Sequence, residues 1–292
     1  MVAFAHSVIG ASHVKNGQPC QDASLCVKNE AYTLIAVADG HGGERYFRSD
    51  IGSRFAVEAA DFLTEPAVLD VLRNVKREEH RESIILQLKK SIINLWNMNI
   101  TVHVENNPFT EDELNAIPEK YAERYRGGEQ IEAAYGSTLI AVLLTEKFIL
   151  AMQIGDGNAV TVDNAGMFAQ PIPADENCFL NVTTSLCDEN AIESFRHSYS
   201  DISPVAVLIG TDGIDDCFAG AEKLFDFYRV VLTSFRDKDE ETAKTELIDY
   251  LPRLSEKGSG DDISIGMMID KELLQAINIE TPKQETDRRR QR

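Results

Sequence analysis

Tyr32-Thr33-Leu34-Ile35-Ala36-Val37-Ala38-Asp39-Gly40-His41-Gly42-Gly43 sets the fold of this 292-residue chain. A short apolar run that stops at Asp-Gly suits a buried strand followed by a turn. Downstream, Phe47, Ile51, Phe55, Ala59 and Phe62 recur at helical spacing over 44–63. Ile84, Ile85, Leu88, Ile92 and Leu95 mark a second helix over 80–103. Trp96 beside them reads as core rather than a cofactor contact. Upstream, the first 40 residues read as strands. Residues 104–131 are polar, with Pro108, Pro118 and Gly127-Gly128, and read as a connection or insertion.

A second β-rich block follows. Strands are expected over 137–144 and 147–154, the latter ending at Gly155-Asp156-Gly157. A hairpin over 158–162 and 167–170 turns at Asn164-Ala165-Gly166, and 205–210 is a buried strand ending at Thr211-Asp212-Gly213. Helices are expected over 219–236 and 239–256, and a last strand over 263–269 begins after Asp261-Asp262. Residues 171–190 carry no clear period and are expected to form a mobile flap. The helices sit between groups of strands, which argues for α+β with antiparallel sheets rather than a doubly wound parallel sheet. One domain over 1–275 and a polar, disordered tail over 276–292 are expected.

Composition narrows the function. A net charge of −19 disfavours nucleic acid as a partner. No apolar run reaches the length of a membrane span, and the first residues lack the pattern of a signal peptide. Cys20, Cys26, Cys178, Cys187 and Cys217 show no paired spacing, so reduced thiols in a cytoplasmic monomer are expected.

The placement of the aspartates is more specific. Asp39, Asp156 and Asp212 each follow an apolar strand and precede a glycine, while Asp261 stands at the start of its strand. A single Asp-Gly after a strand is usually only a turn. Three such junctions with Asp261 point to carboxylates gathered at one rim, where they repel unless cations lie between them. Hard oxygen ligands suit Mg²⁺ or Mn²⁺.

Asp39-Gly40-His41-Gly42-Gly43, Gly136-Ser137-Thr138, Gly155-Asp156-Gly157-Asn158-Ala159, Thr211-Asp212-Gly213-Ile214-Asp215-Asp216 and Gly260-Asp261-Asp262-Ile263-Ser264 occur in that order. Together they resemble the PP2C, or PPM, family of metal-dependent serine/threonine protein phosphatases, over about residues 6 to 270, in its bacterial branch. The resemblance implies a four-layer α-β-β-α sandwich with two central antiparallel sheets and metals at one end. It implies that Asp39 bridges two cations, Asp212 and Asp261 complete the first, and the Gly40 carbonyl serves the second. Asp156 and Asp216 match positions that hold a weaker third cation with Asp212 in some members. Asp22 matches the aspartate of an early acidic pair, whose glutamate is Gln21 here. The family's phosphate-binding arginine falls on Gly17, leaving His13, Lys15 and Arg45 as replacements.

The implied reaction is hydrolysis of phosphoserine and phosphothreonine esters by a metal-bridging hydroxide, with His41 protonating the leaving alkoxide. Ser137 lacks a nucleophile elbow and reads as a strand residue. Rival readings are an inactive phosphoprotein-binding regulator of the same fold and another two-metal hydrolase acting on small phosphoesters.

Overall fold

The computed structural model describes residues 1–175 and 183–279. The middle of the expected flap, Cys178, and residues 280–292 of the expected tail lie outside the described residues, while 276–279 are described, with Ile279 buried in the core. The strands are β1 (Val2–Val8), β2 (Asp22–Lys28), β3 (Tyr32–Asp39), β4 (Leu139–Thr145), β5 (Ile149–Ile154), β6 (Asn158–Val162), β7 (Phe168–Ala169), β8 (Arg196–Ser200), β9 (Ala206–Gly210) and β10 (Ile263–Ile269). They form two five-stranded sheets, β1-β10-β9-β6-β7 and β2-β3-β4-β5-β8. Every pairing is antiparallel.

Side-chain alternation explains the layering. In β3, Leu34, Ala36 and Ala38 face one apolar core, while Ile35 and Val37 face another. The first core is closed by helices Ser49–Ala60 and Glu78–Asn106, through Ala56, Val57, Ile85, Leu88 and Trp96. The second lies between the sheets, where Ile35 and Val37 meet Val142, Val207, Ile209 and Met268. A third core joins the outer face of β9 and β10 to helices Ala221–Asp237 and Glu240–Lys257, through Leu208, Ile265, Tyr228, Leu232 and Leu251. Three apolar cores between four layers give the expected α-β-β-α sandwich. Strands buried on both faces read as unbroken apolar runs, which is why the Tyr32–Ala38 stretch looks as it does. Trp96 is fully buried, and its Nε1 donates to the Gly52 carbonyl at 2.9 Å.

Several local expectations are corrected. The first 40 residues are not all strand, because helix Ala11–Asn16 lies between β1 and β2. It is too short to show a period, and it ends at Gly17 in the left-handed region (φ 68°). The 104–131 stretch is not a plain connection. It holds helices Glu111–Asn115 and Glu119–Arg126, the first opened by a capping box between Thr110 and Glu113. Buried Arg48 anchors it, with Nε and Nη2 donating to Glu113 at 2.7 and 2.9 Å and Nη1 to the Asn107 carbonyl at 2.7 Å. The polar strand β8 was not expected from sequence, since an edge strand paired only with β5 need not alternate apolar residues. Helix Pro66–Asn74, with proline at its first turn, also goes beyond the sequence reading.

Among the described residues no helix is long and apolar enough to cross a membrane. Cys20, Cys26, Cys187 and Cys217 are free thiols.

Candidate metal centre at the strand rim

Antiparallel pairing brings the aspartates to one end of the sandwich. Asp22 opens β2 directly opposite Asp39, which closes β3. Gly210 pairs with Asn158 and with Ile265, so the end of β9 and the starts of β6 and β10 share that rim. Asp212 follows β9, Asp261 precedes β10, and Asp156 sits in the turn from β5 to β6. Asp39 therefore comes from one sheet, and Asp212 and Asp261 from the other.

The site depends on close backbone approach. A Cβ on Gly40 would lie 2.5 Å from the Ser49 carbonyl oxygen and 2.7 Å from that of Gln21. A Cβ on Gly213 would lie 1.9 Å from the carbonyl oxygen of Asp262. These glycines sit after the aspartates because backbone of a neighbouring segment fills the space a side chain would need. Chain reversal alone does not explain them, since neither has a positive φ.

A cavity of about 440 Å³ opens here, lined by His13, Gln21, Asp39, Gly40, His41, Gly42, Arg45, Tyr46, Thr183, Asp212 and Asp261. Burial, then Asp212, Asp22, Asp261 and Asp156, push the Asp39 carboxyl well above the usual range. Burial, then Asp156, Asp261 and Asp216, push Asp212 up to about 7. Asp22 is likewise raised by burial, even though Thr211 Oγ1 donates to it at 2.8 Å. It lies behind the cavity and steadies the residue before Asp212. Asp156 and Asp216 are not among the lining residues, although Asp156 accepts from the Thr183 hydroxyl and adds to the field on Asp39, Asp212 and Asp216. Asp216 is exposed.

The donor set fits hard divalent cations. Three carboxylates converge without a Lys or Arg ion pair among the described residues. Gly40 is buried, its N–H donates to Gln21 at 3.0 Å, and its carbonyl accepts no hydrogen bond from the described residues. Oxygen donors with surplus negative charge are what Mg²⁺ or Mn²⁺ require. His13, Asp261 and Asp262 also have ligand atoms within 4.8 Å of one another. Asp262 is already engaged, accepting from Gly10 N at 2.6 Å, Gln21 N at 2.5 Å and His13 Nδ1 at 2.9 Å. The sequence reading, which names Asp262 only beside Asp261, missed this role.

The remaining expected residues are distributed unevenly. The Gln21 side chain donates to Ser49 Oγ at 2.7 Å and to the His41 carbonyl at 3.5 Å, so it holds the His41 loop. The His41 ring packs on Tyr46 with centroids 4.9 Å apart, and burial, then Arg45, lower its pKa to about 4. Arg45 lies over the Tyr46 ring at 4.3 Å and donates to its hydroxyl. Lys15 is exposed on its short helix and is not among the lining residues. Ser137 is buried and donates to the Thr138 carbonyl at 2.8 Å, which is a structural role. Asp215, unremarked in the sequence, is pushed up to about 8 by burial, then by Asp212 and Asp216, and accepts from Asn158. Asn158 in turn accepts from the buried Tyr228 hydroxyl at 2.6 Å. Only the run Asp215-Asp216 hinted at this in the sequence.

The profile of the protein phosphatase 2C family matches residues 9–252. Among curated proteins none matches. A bacterial serine phosphatase superposes with a TM-score of 0.58 at 15% identity, over 97% of this chain and 99% of its own. The catalytic domain of the serine/threonine phosphatase PstP, solved in complex with two manganese ions, gives 0.55 at 15% identity, over 91% and 96%. Stp1 from Staphylococcus aureus gives 0.56 at 14% identity, over 91% and 93%. At these identities the likeness is one of fold.

Proposed function

The chain belongs to the protein phosphatase 2C family, and from that membership we propose that it hydrolyses phosphoserine and phosphothreonine esters of proteins in the rim cavity. One observation carries the reading: Asp39, Asp212 and Asp261 meet from two sheets, and Asp39 and Asp212 are destabilised as carboxylates without an external cation. Asp39, Asp212, Asp261 and the Gly40 carbonyl would hold two Mn²⁺ or Mg²⁺ ions, with Asp156 and Asp216 contributing to a weaker third beside Asp212. When bound, such ions lower the pKa of water and neutralise phosphoryl charge.

The chain's own groups supply the rest. Asp22, through Thr211, keeps Asp212 oriented, and Gln21 fixes the loop that carries His41. Arg45 receives the phosphoryl oxygens. Its hydrogen bond to Tyr46 uses one of five N–H donors, and no carboxylate of the described residues pairs with it. His13, fixed by Asp262, flanks the same space. The His41 ring is neutral in the substrate-free cavity near pH 7. A phosphate dianion beside it offsets Arg45 and favours the imidazolium, which then donates to the leaving alkoxide.

Turnover of phosphoserine, phosphothreonine and phosphotyrosine peptides with Mn²⁺, with Mg²⁺ and with EDTA tests this. Cation-dependent release of phosphate from the serine and threonine peptides is expected. Tight peptide binding without turnover under any cation would instead establish a phosphoprotein-binding regulator.

A further inference from the structure

A second cavity, of about 350 Å³, shares Arg45 with the catalytic one. Its lining includes the apolar residues Ile93, Ala133, Leu186 and Ala191 and the carboxylates Glu132, Asp188 and Glu189. The wall is wired to the catalytic rim. Leu186 N donates to the Ser137 carbonyl at 2.9 Å, and Ser137 is the bridge partner of Gly40. One carboxylate has a partner, since Asp188 accepts from Ser185 N at 2.8 Å. Glu132 is half-buried, yet neither it nor Glu189 forms a hydrogen bond or ion pair among the described residues. After burial, Asp188 and Glu132 act with it to raise the Cys187 thiol to about 11, against Arg45 and the Ser185 hydroxyl.

A phosphorylated side chain seated against Arg45 leaves its peptide on the border between the two cavities. The second cavity then takes the neighbouring side chain. Apolar lining beside two carboxylates without a partner among the described residues suits a long aliphatic stem with a cationic head. Resting on the phosphatase reading above, we propose that this cavity is a specificity subsite. It takes a lysine or arginine flanking the phosphorylated residue, and Glu132 and Glu189 are its determinants.

The test uses phosphothreonine peptides that differ only in flanking residues, arginine, alanine or glutamate, with p-nitrophenyl phosphate as a separate reporter of the chemistry. The intact chain should favour the arginine over the alanine peptide by about three- to tenfold in kcat/KM, as expected for charge pairs to a half-buried Glu132 and an exposed Glu189. The ratio should fall to near one in the double variant Glu132→Gln, Glu189→Gln. It should turn toward the glutamate peptide in Glu189→Lys. Using ratios cancels any general loss of activity. A ratio near one in the intact chain, or one unchanged in the variants, overturns the subsite. Absence of p-nitrophenyl phosphate turnover would overturn the phosphatase reading instead. In that case fluorescence anisotropy of the same peptides, labelled, scores the subsite by binding, with the same ranking expected and the same two failures decisive.

Discussion

Asp22 and Asp39 face each other across the β2–β3 ladder, two carboxylates in register at the point where the sheet meets the cavity. Like charges set directly opposite in a sheet are destabilising, and here burial adds to the cost. The sandwich tolerates the pair, so the cation-free fold carries an electrostatic strain that protons or metal ions relieve.

Stability of the cation-free protein should therefore depend on pH with an inverted sign. Asp212 titrates at about 7 in the folded state, against an ordinary value of 3.8. Between those values the folded state binds more protons than the unfolded chain, so stability falls as pH rises through this window. In EDTA the melting temperature should rise as pH is lowered from about 7 toward about 5, the upper part of that window. With saturating Mn²⁺ it should be higher throughout and flatter with pH. Differential scanning calorimetry with and without the cation decides this, and a cation-free melting temperature that falls on acidification over that range speaks against the strain.

Replacing single carboxylates should separate stability from activity. Asp39→Asn removes a strained charge, so it should raise the EDTA melting temperature while abolishing turnover at ordinary cation concentrations. Asp212→Asn should behave the same way, and Asp261→Asn, exposed at the rim, should lose turnover with little change in melting. Calorimetric titration with Mn²⁺ should show weakened binding in all three. Full p-nitrophenyl phosphate turnover by the Asp39 variant would refute the centre.

His41→Ala should slow poor leaving groups more than good ones. Phenyl phosphate should lose about 10²–10⁴-fold, the usual contribution of a positioned acid, and p-nitrophenyl phosphate much less. Equal losses on both substrates would assign the His41 ring, tilted against Tyr46, to structure alone.

Arg48 ties the 104–131 segment to the sandwich through Glu113, Asn107 and Tyr135. Burial favours the neutral acid of Glu113, yet hydrogen bonds from Arg48 and Thr110 hold it down at about 2. Arg48→Ala removes the Arg48 bonds, leaving Glu113 its Thr110 donors, and should cost about 1–3 kcal/mol, read from denaturant unfolding. A loss below about 1 kcal/mol, the range of an ordinary exposed pair, would reject the anchor.

The strands and the carboxylate set were legible because both follow simple rules. Asp39, Asp156, Asp212 and Asp261 stand at strand termini, and antiparallel pairing brings those termini to one rim. What escaped the reading depends on contacts distant in sequence. Asp262 holds Gly10, His13 and Gln21, over 240 residues away, and no local pattern signals that. The helices of 104–131 owe their place to Arg48, outside the segment. Gly17 shows the reverse case: at a left-handed helix end it has a conformational reason to be glycine, which leaves the expected arginine without a position.

The rim is supplied by both sheets, Asp39 from one and Asp212 with Asp261 from the other. A bound cation would therefore act as a rivet through the inter-sheet core of Ile35, Val37, Val207 and Ile209. Stripped of metal, the two sheets are joined by that apolar core and by the Thr211 to Asp22 hydrogen bond. Loaded, they should protect their backbone amides together, so that hydrogen exchange in β3 and β9 slows in step as cation is added.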